Sequence, residues 1–174
     1  MMRKILVFTI IILLAIGIFM SCDGNVAEAG NKSLSEIMDI LIEEISKVET
    51  DAEIEIIDKA EVEEMPNYYL GIDDLSRVAE VIVAEAGIMD VPFSLALLRV
   101  NNRNDLNALK NEIKDNVQIN KWICAFADYA YVNSYEDIIL LVIGIDENVE
   151  MVNNKFQSVT GATSDTLLTR SAWG

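Results

Sequence analysis

Six consecutive apolar residues, Ile138-Ile139-Leu140-Leu141-Val142-Ile143, constrain this chain more than any other feature. The run is short for a helix and suits a strand over residues 138–145. A strand with no polar position to offer water belongs at the centre of a sheet. The rest of the chain has to supply its neighbours and its cover.

The neighbours are legible. Residues 78–86 are rich in β-branched side chains (Val78, Val81, Ile82, Val83) and read as a strand starting near Leu75, broken by Asp90-Val91-Pro92. Residues 94–100 form a second apolar run of strand length. Residues 129–132 form a third, joined to 138–145 by a five-residue hairpin loop, Asn133-Ser134-Tyr135-Glu136-Asp137. Hairpin connections make the sheet mostly antiparallel, with about four strands.

Helical spacing supplies the cover. Ser33 and Glu36 make a capping box ahead of Leu34, Ile37, Met38, Leu41, Ile42, Ile45 and Val48, one apolar stripe along residues 33–48. A second amphipathic helix runs from Asp105 to about Asn120, capped by Asn104, with Leu106, Leu109, Ile113 and Val117 on one side. A third is capped by Asp146, turns Val149, Val152, Phe156 and Val159 inward, and ends at Gly161. Residues 53–57 are extended in character, and 58–65 form an acidic connector or helical turn ending at Pro66. Gly71 supplies a turn. The order after the first helix is strand, strand, helix, strand, strand, helix. That predicts an α+β domain over residues 33–160, a two-layer arrangement with the helices on one face of the sheet and a fraying tail over 161–174.

Ahead of this domain, Arg3 and Lys4 precede an uncharged, mainly apolar run over residues 5–20 that ends at Ser21-Cys22. This is the pattern of a signal peptide over residues 1–21. Sixteen residues of helix span about 24 Å, short of the roughly 30 Å hydrocarbon core, so a transmembrane span is the weaker reading. Phe19-Met20-Ser21-Cys22 resembles the bacterial lipobox, in which a small residue precedes a cysteine that receives diacylglycerol. Phe19 departs from its usual leucine. The expectation is a lipid anchor on Cys22, with a flexible linker over residues 23–32. The protein would then sit on the extracytoplasmic face of a cell membrane.

Composition narrows the partners. The 13 basic residues include Arg3 and Lys4, so a chain beginning at Cys22 carries 11 basic against 29 acidic side chains, a formal charge of −18. Such a surface repels phosphate backbones and anionic headgroups, which excludes nucleic acid as a partner and leaves membrane contact to the anchor. Histidine is absent, which removes Ser-His-Asp and Cys-His catalysis and His-ligated zinc. The only cysteines are Cys22 and Cys124. With Cys22 lipidated, Cys124 has no disulfide partner in the chain, and its setting, Trp122-Ile123-Cys124-Ala125-Phe126, reads as core.

Tyr69-Leu70-Gly71-Ile72-Asp73, together with the strands at 78–83, 94–100 and 138–143 and the helix at 105–120, resembles the DUF4358 family of clostridial and related Firmicute lipoproteins. The likeness spans about residues 65–160. That family has no assigned activity, so the resemblance implies only a lipid-anchored, cell-envelope setting.

Few residues suggest chemistry. Glu61, Glu63, Glu64, Asp73 and Asp74 could offer hard oxygen ligands to Ca²⁺, but the spacing of an EF-hand loop is missing, and a solvated acidic edge is the plainer reading. No metal site, cofactor or catalytic residue is assigned. Tyr68, Tyr69, Tyr129 and Tyr131 are the candidate ligand or partner surface, since tyrosine offers stacking area with a polar tip. Tyr129 and Tyr131 should share one strand face. The sequence thus points to a non-catalytic binding or scaffolding module for an envelope protein or small ligand. The alternatives are an envelope enzyme working through paired carboxylates, for example on glycans, and an accessory subunit whose exposed sheet face is covered in a complex.

Overall fold

A computed structural model of the chain describes residues 32–48, 53–86, 91–123, 125–163 and 166–169. The leader, Cys22, the segment up to residue 31 and Cys124 lie outside the described residues. The domain is α+β and its sheet is antiparallel throughout. The strands are β1 (Ile54–Ile56), β2 (Val78–Ala86), β3 (Ser94–Val100), β4 (Tyr129–Tyr135), β5 (Ile138–Gly144) and β6 (Thr166–Thr169), in the spatial order β1-β2-β3-β5-β4-β6. Four are the strands expected from sequence. The two additions, β1 and β6, are short edge strands, and β6 pairs with β4 in a stretch expected to fray.

The apolar run sits in β5, between β3 and β4, and all seven of its residues are buried. Alternation sends them to different places. Ile139, Leu141 and Ile143 join Val81, Val83, Ala96, Leu98, Ala130 and Val132 in one cluster, while Ile138, Leu140 and Val142 join Ala84, Leu95, Leu97 and Phe93 in another. Both sheet faces are therefore covered, which corrects the two-layer expectation. Helices α2 (Lys59–Glu64), α3 (Pro66–Leu70) and α4 (Leu106–Asn116) contribute Val62, Tyr69, Leu70, Leu109 and Ile113 to the first cluster. Helices α1 (Leu34–Ile45) and α5 (Asp146–Thr160) contribute Leu34, Ile37, Met38, Leu41, Ile45, Val149, Val152 and Phe156 to the second. The short α2 falls in the stretch that sequence read as an acidic connector or helical turn, and α3 lies beyond it.

Local chemistry explains most boundaries. The Ser33–Glu36 capping box forms as expected, with the Glu36 backbone N–H donating to Ser33 Oγ at 3.2 Å and the Ser33 backbone N–H to Glu36 Oε2 at 2.8 Å. Pro66 opens α3 instead of ending a turn, since its missing N–H is no loss in a first turn. Helix α4 stops at Asn116, four residues short of expectation, because Val117 is extended (ψ 133°) and Val117 and Ile119 are buried outside the helix. Asn102, not Asn104, makes the cap at Arg103–Asp105, accepting from the Asn104 N–H at 3.0 Å. The third helix is capped by Ile145, with Asp146 inside its first turn. The β4–β5 connection is two residues, Glu136-Asp137, in place of five. Asn133, read as loop, is buried in β4 and donates from Nδ2 to Asn153 Oδ1 on α5 at 2.8 Å.

The register defines two rims. One gathers Val78, Val100 and the Glu136-Asp137 turn; the other gathers Ile54, Ala86, Ser94, Tyr129 and Gly144. At the first, Arg99 meets Asp137 at 3.0 Å and Arg103 meets Glu136 at 3.1 Å. Ser35 and Met38, early in α1, line a groove of about 490 Å³ with Ile56, Val81 and Ile82.

Candidate functional site

The most unusual side chain in the domain is Lys121, in the connection over residues 117–128 that carries the chain from α4 to β4 at the second rim. Its side chain is fully buried. An ammonium out of water needs compensating charge and hydrogen bonds, and the sequence brings these from three elements. Glu85 of β2 pairs with Nζ, and Nζ donates to Ser94 Oγ of β3 at 3.1 Å. Rings complete the enclosure, with centroids 4.9 Å (Tyr68), 5.3 Å (Tyr69) and 5.2 Å (Trp122) from Nζ, close enough for their negative faces to attract the cation.

Each partner is placed for a local reason. Tyr68 and Tyr69 are consecutive on α3 and meet edge-on at 4.9 Å. Helix α3 ends at Gly71, whose φ of 71° suits a residue without Cβ and whose backbone abuts that of Val117. Gln118 Nε2 donates to Asn67 Oδ1 at 3.0 Å, so α3 and the loop are joined beside the cage as well. Tyr69 Oη donates to Glu61 on α2.

The electrostatics follow from enclosure. Burial pulls the Lys121 ammonium below its ordinary pKa, with Glu85 opposing the shift by attraction and hydrogen bonding. Burial raises both phenols, Tyr69 further because its hydrogen bond to Glu61 favours the neutral form, and Glu85 and Glu61 add repulsion against either phenolate. The Lys121–Ser94 contact has the length of a base–nucleophile pair, but Ser94 is 1% exposed and the ammonium is held by Glu85. The cluster is built to hold a loop, not to meet a substrate.

What it holds is exposed. Ile123 is 94% and Phe126 62% accessible, whereas Ile119 and Ala127 on either side are buried. The segment around Cys124, expected in the core, therefore has apolar flanks that face water.

The four tyrosines expected to form one surface divide. Tyr68 and Tyr69 enclose Lys121 on one face; Tyr129 and Tyr131 share the opposite face, half-buried against the cluster that α5 covers. Of the acidic set, Glu61 meets Tyr69 and Asp74 caps the Ser76 N–H at 2.8 Å, and among the described residues no three carboxylates or thiols come together as a metal-binding group. Among the same residues no helix is long and apolar enough to cross a membrane. Lys121 was missed by sequence reasoning. Its one signal was a lone cation inside the apolar stretch Ile119–Ala127, a position where a charge needs a partner. No protein-family model, curated protein or solved structure matches the chain.

Proposed function

We propose that this chain is an exported, lipid-anchored module on the extracytoplasmic face of a cell membrane, where it binds or scaffolds without catalysing. The observation that carries the reading is the order Arg3-Lys4, an apolar run over residues 5–20, then Ser21-Cys22. Its likeness to the DUF4358 lipoproteins supports the same setting. The non-catalytic half rests on burial at one site: the Ser94 contact with Lys121, which has the length of a nucleophile–base pair, is sealed under three rings.

The test is the intact mass of the protein extracted from host membranes, beside a Cys22→Ser variant. A mass beginning at Cys22 plus diacylglyceryl and any further acyl chain, lost in the variant, is the expected result. An unmodified chain retaining residues 1–21 refutes the anchor.

A further inference from the structure

The loop over residues 117–128 inverts the usual economy of a surface. Its one cation is buried, while Ile123 and Phe126 are turned out. This is not looseness. The loop is fastened at Gln118 to Asn67, at Lys121 to Glu85 and Ser94, and at the Asp128 N–H to Gly144 O at 3.1 Å, with Ile119 and Ala127 packed beneath it. Between these attachments Ile123 and Phe126 are exposed, beside half-buried Trp122.

We propose that the tip formed by Trp122, Ile123 and Phe126 is a docking surface for a polypeptide segment that is both apolar and cationic. Charge selects this occupant. Lys121 is the only basic residue of the loop and its charge is spent on Glu85, while Glu61, bonded to Tyr69, and Asp128, two residues from Phe126, are exposed. A second copy of so acidic a chain meets like charge, and so does an anionic bilayer. A basic rim around an apolar contact meets complementary charge, which fixes orientation and speeds encounter. The proposal rests on the binding-module reading and names the face that binds.

The test uses the full chain in its host, with the photo-crosslinking residue p-benzoylphenylalanine in place of Ile123 and, in separate strains, in place of Ile56 and Glu150. Linked peptides are sequenced by mass spectrometry. The expected result is a product at position 123 joined to a polypeptide segment of net positive charge, its yield falling at least fivefold when Asp128→Lys is added. That site is exposed and outside the Lys121 cage, and circular dichroism checks that the fold persists. Homodimer, lipid adduct, an acidic or neutral linked segment, or a yield indifferent to the charge reversal overturns the proposal. Products from position 56 or 150 with none from 123 remove this surface and leave the binding-module reading standing. Products from none of the three positions remove both.

Discussion

Removing Glu85 tests whether the cage is as dry as its geometry says. In Glu85→Ala the Lys121 ammonium keeps its rings and Ser94 but loses the carboxylate paired with it, and it has no exposed side-chain surface through which to rehydrate. Leaving one charge of a buried pair uncompensated costs about 3–5 kcal/mol. The reciprocal change is milder. Lys121→Met removes the charge itself and fills similar space, and Glu85, with 13% of its side chain exposed, can turn to water. What is left is a Ser94 hydroxyl without its donor, about 1–2 kcal/mol. The double variant Glu85→Leu with Lys121→Met should lie near Lys121→Met, because an apolar pair replaces an ionic one. Urea unfolding at pH 7, followed by circular dichroism and by Trp122 fluorescence, measures all four proteins. The pH dependence adds a signature. The folded pKa of Lys121 lies below its unfolded value of 10.5, so the unfolded state binds more protons and stability rises with pH between the two. That slope should steepen in Glu85→Ala and vanish in Lys121→Met. Measurements belong below pH 10, since the raised pKa values of Tyr68 and Tyr69 withdraw stability above it. A cost under 1 kcal/mol for Glu85→Ala, or equal costs for the two single variants, would refute a dry cage.

Two further substitutions probe how the site is held. Gly71→Ala adds a Cβ 2.6 Å from the Val117 backbone nitrogen at a φ of 71° and should cost about 3 kcal/mol, from left-handed strain together with overpacking; a Tm within 2 °C of wild type would contradict it. Asn133→Ala strands the buried Asn153 carbonyl oxygen and should cost about 2 kcal/mol, read by urea unfolding, whereas Asn133→Leu with Asn153→Leu should restore part of that loss.

The legible parts of this fold are those whose cause is local. The Ser33 capping box depends on residues three apart, and β3 on a contiguous apolar run, so these matched the sequence reading residue for residue, while β2, a β-branched run, begins at Val78, three residues after the expected start near Leu75. Helices α2 and α3 have six and five residues, fewer than two turns each, so no periodicity could announce them. Asn133 looked like a loop residue because its partner, Asn153, is on a different element. Lys121 is the extreme case. Its partners Glu85 and Ser94 are 36 and 27 positions away, so the sequence shows a lysine beside a tryptophan and nothing of the cage.

The apolar run in β5 carries a consequence for function as well as for fold. A strand buried at every residue sends alternate side chains to opposite faces, so one layer of helices could never have covered it; the two-layer expectation conflicted with its own central strand. Among the described residues, α1 and α5 take one face and α2 to α4 the other, and Tyr129 and Tyr131 are half-buried on the α5 side. The hairpin rim presents arginines already paired with Asp137 and Glu136. The opposite rim presents Ile123 and Phe126 on a loop whose one positive charge has been drawn inside.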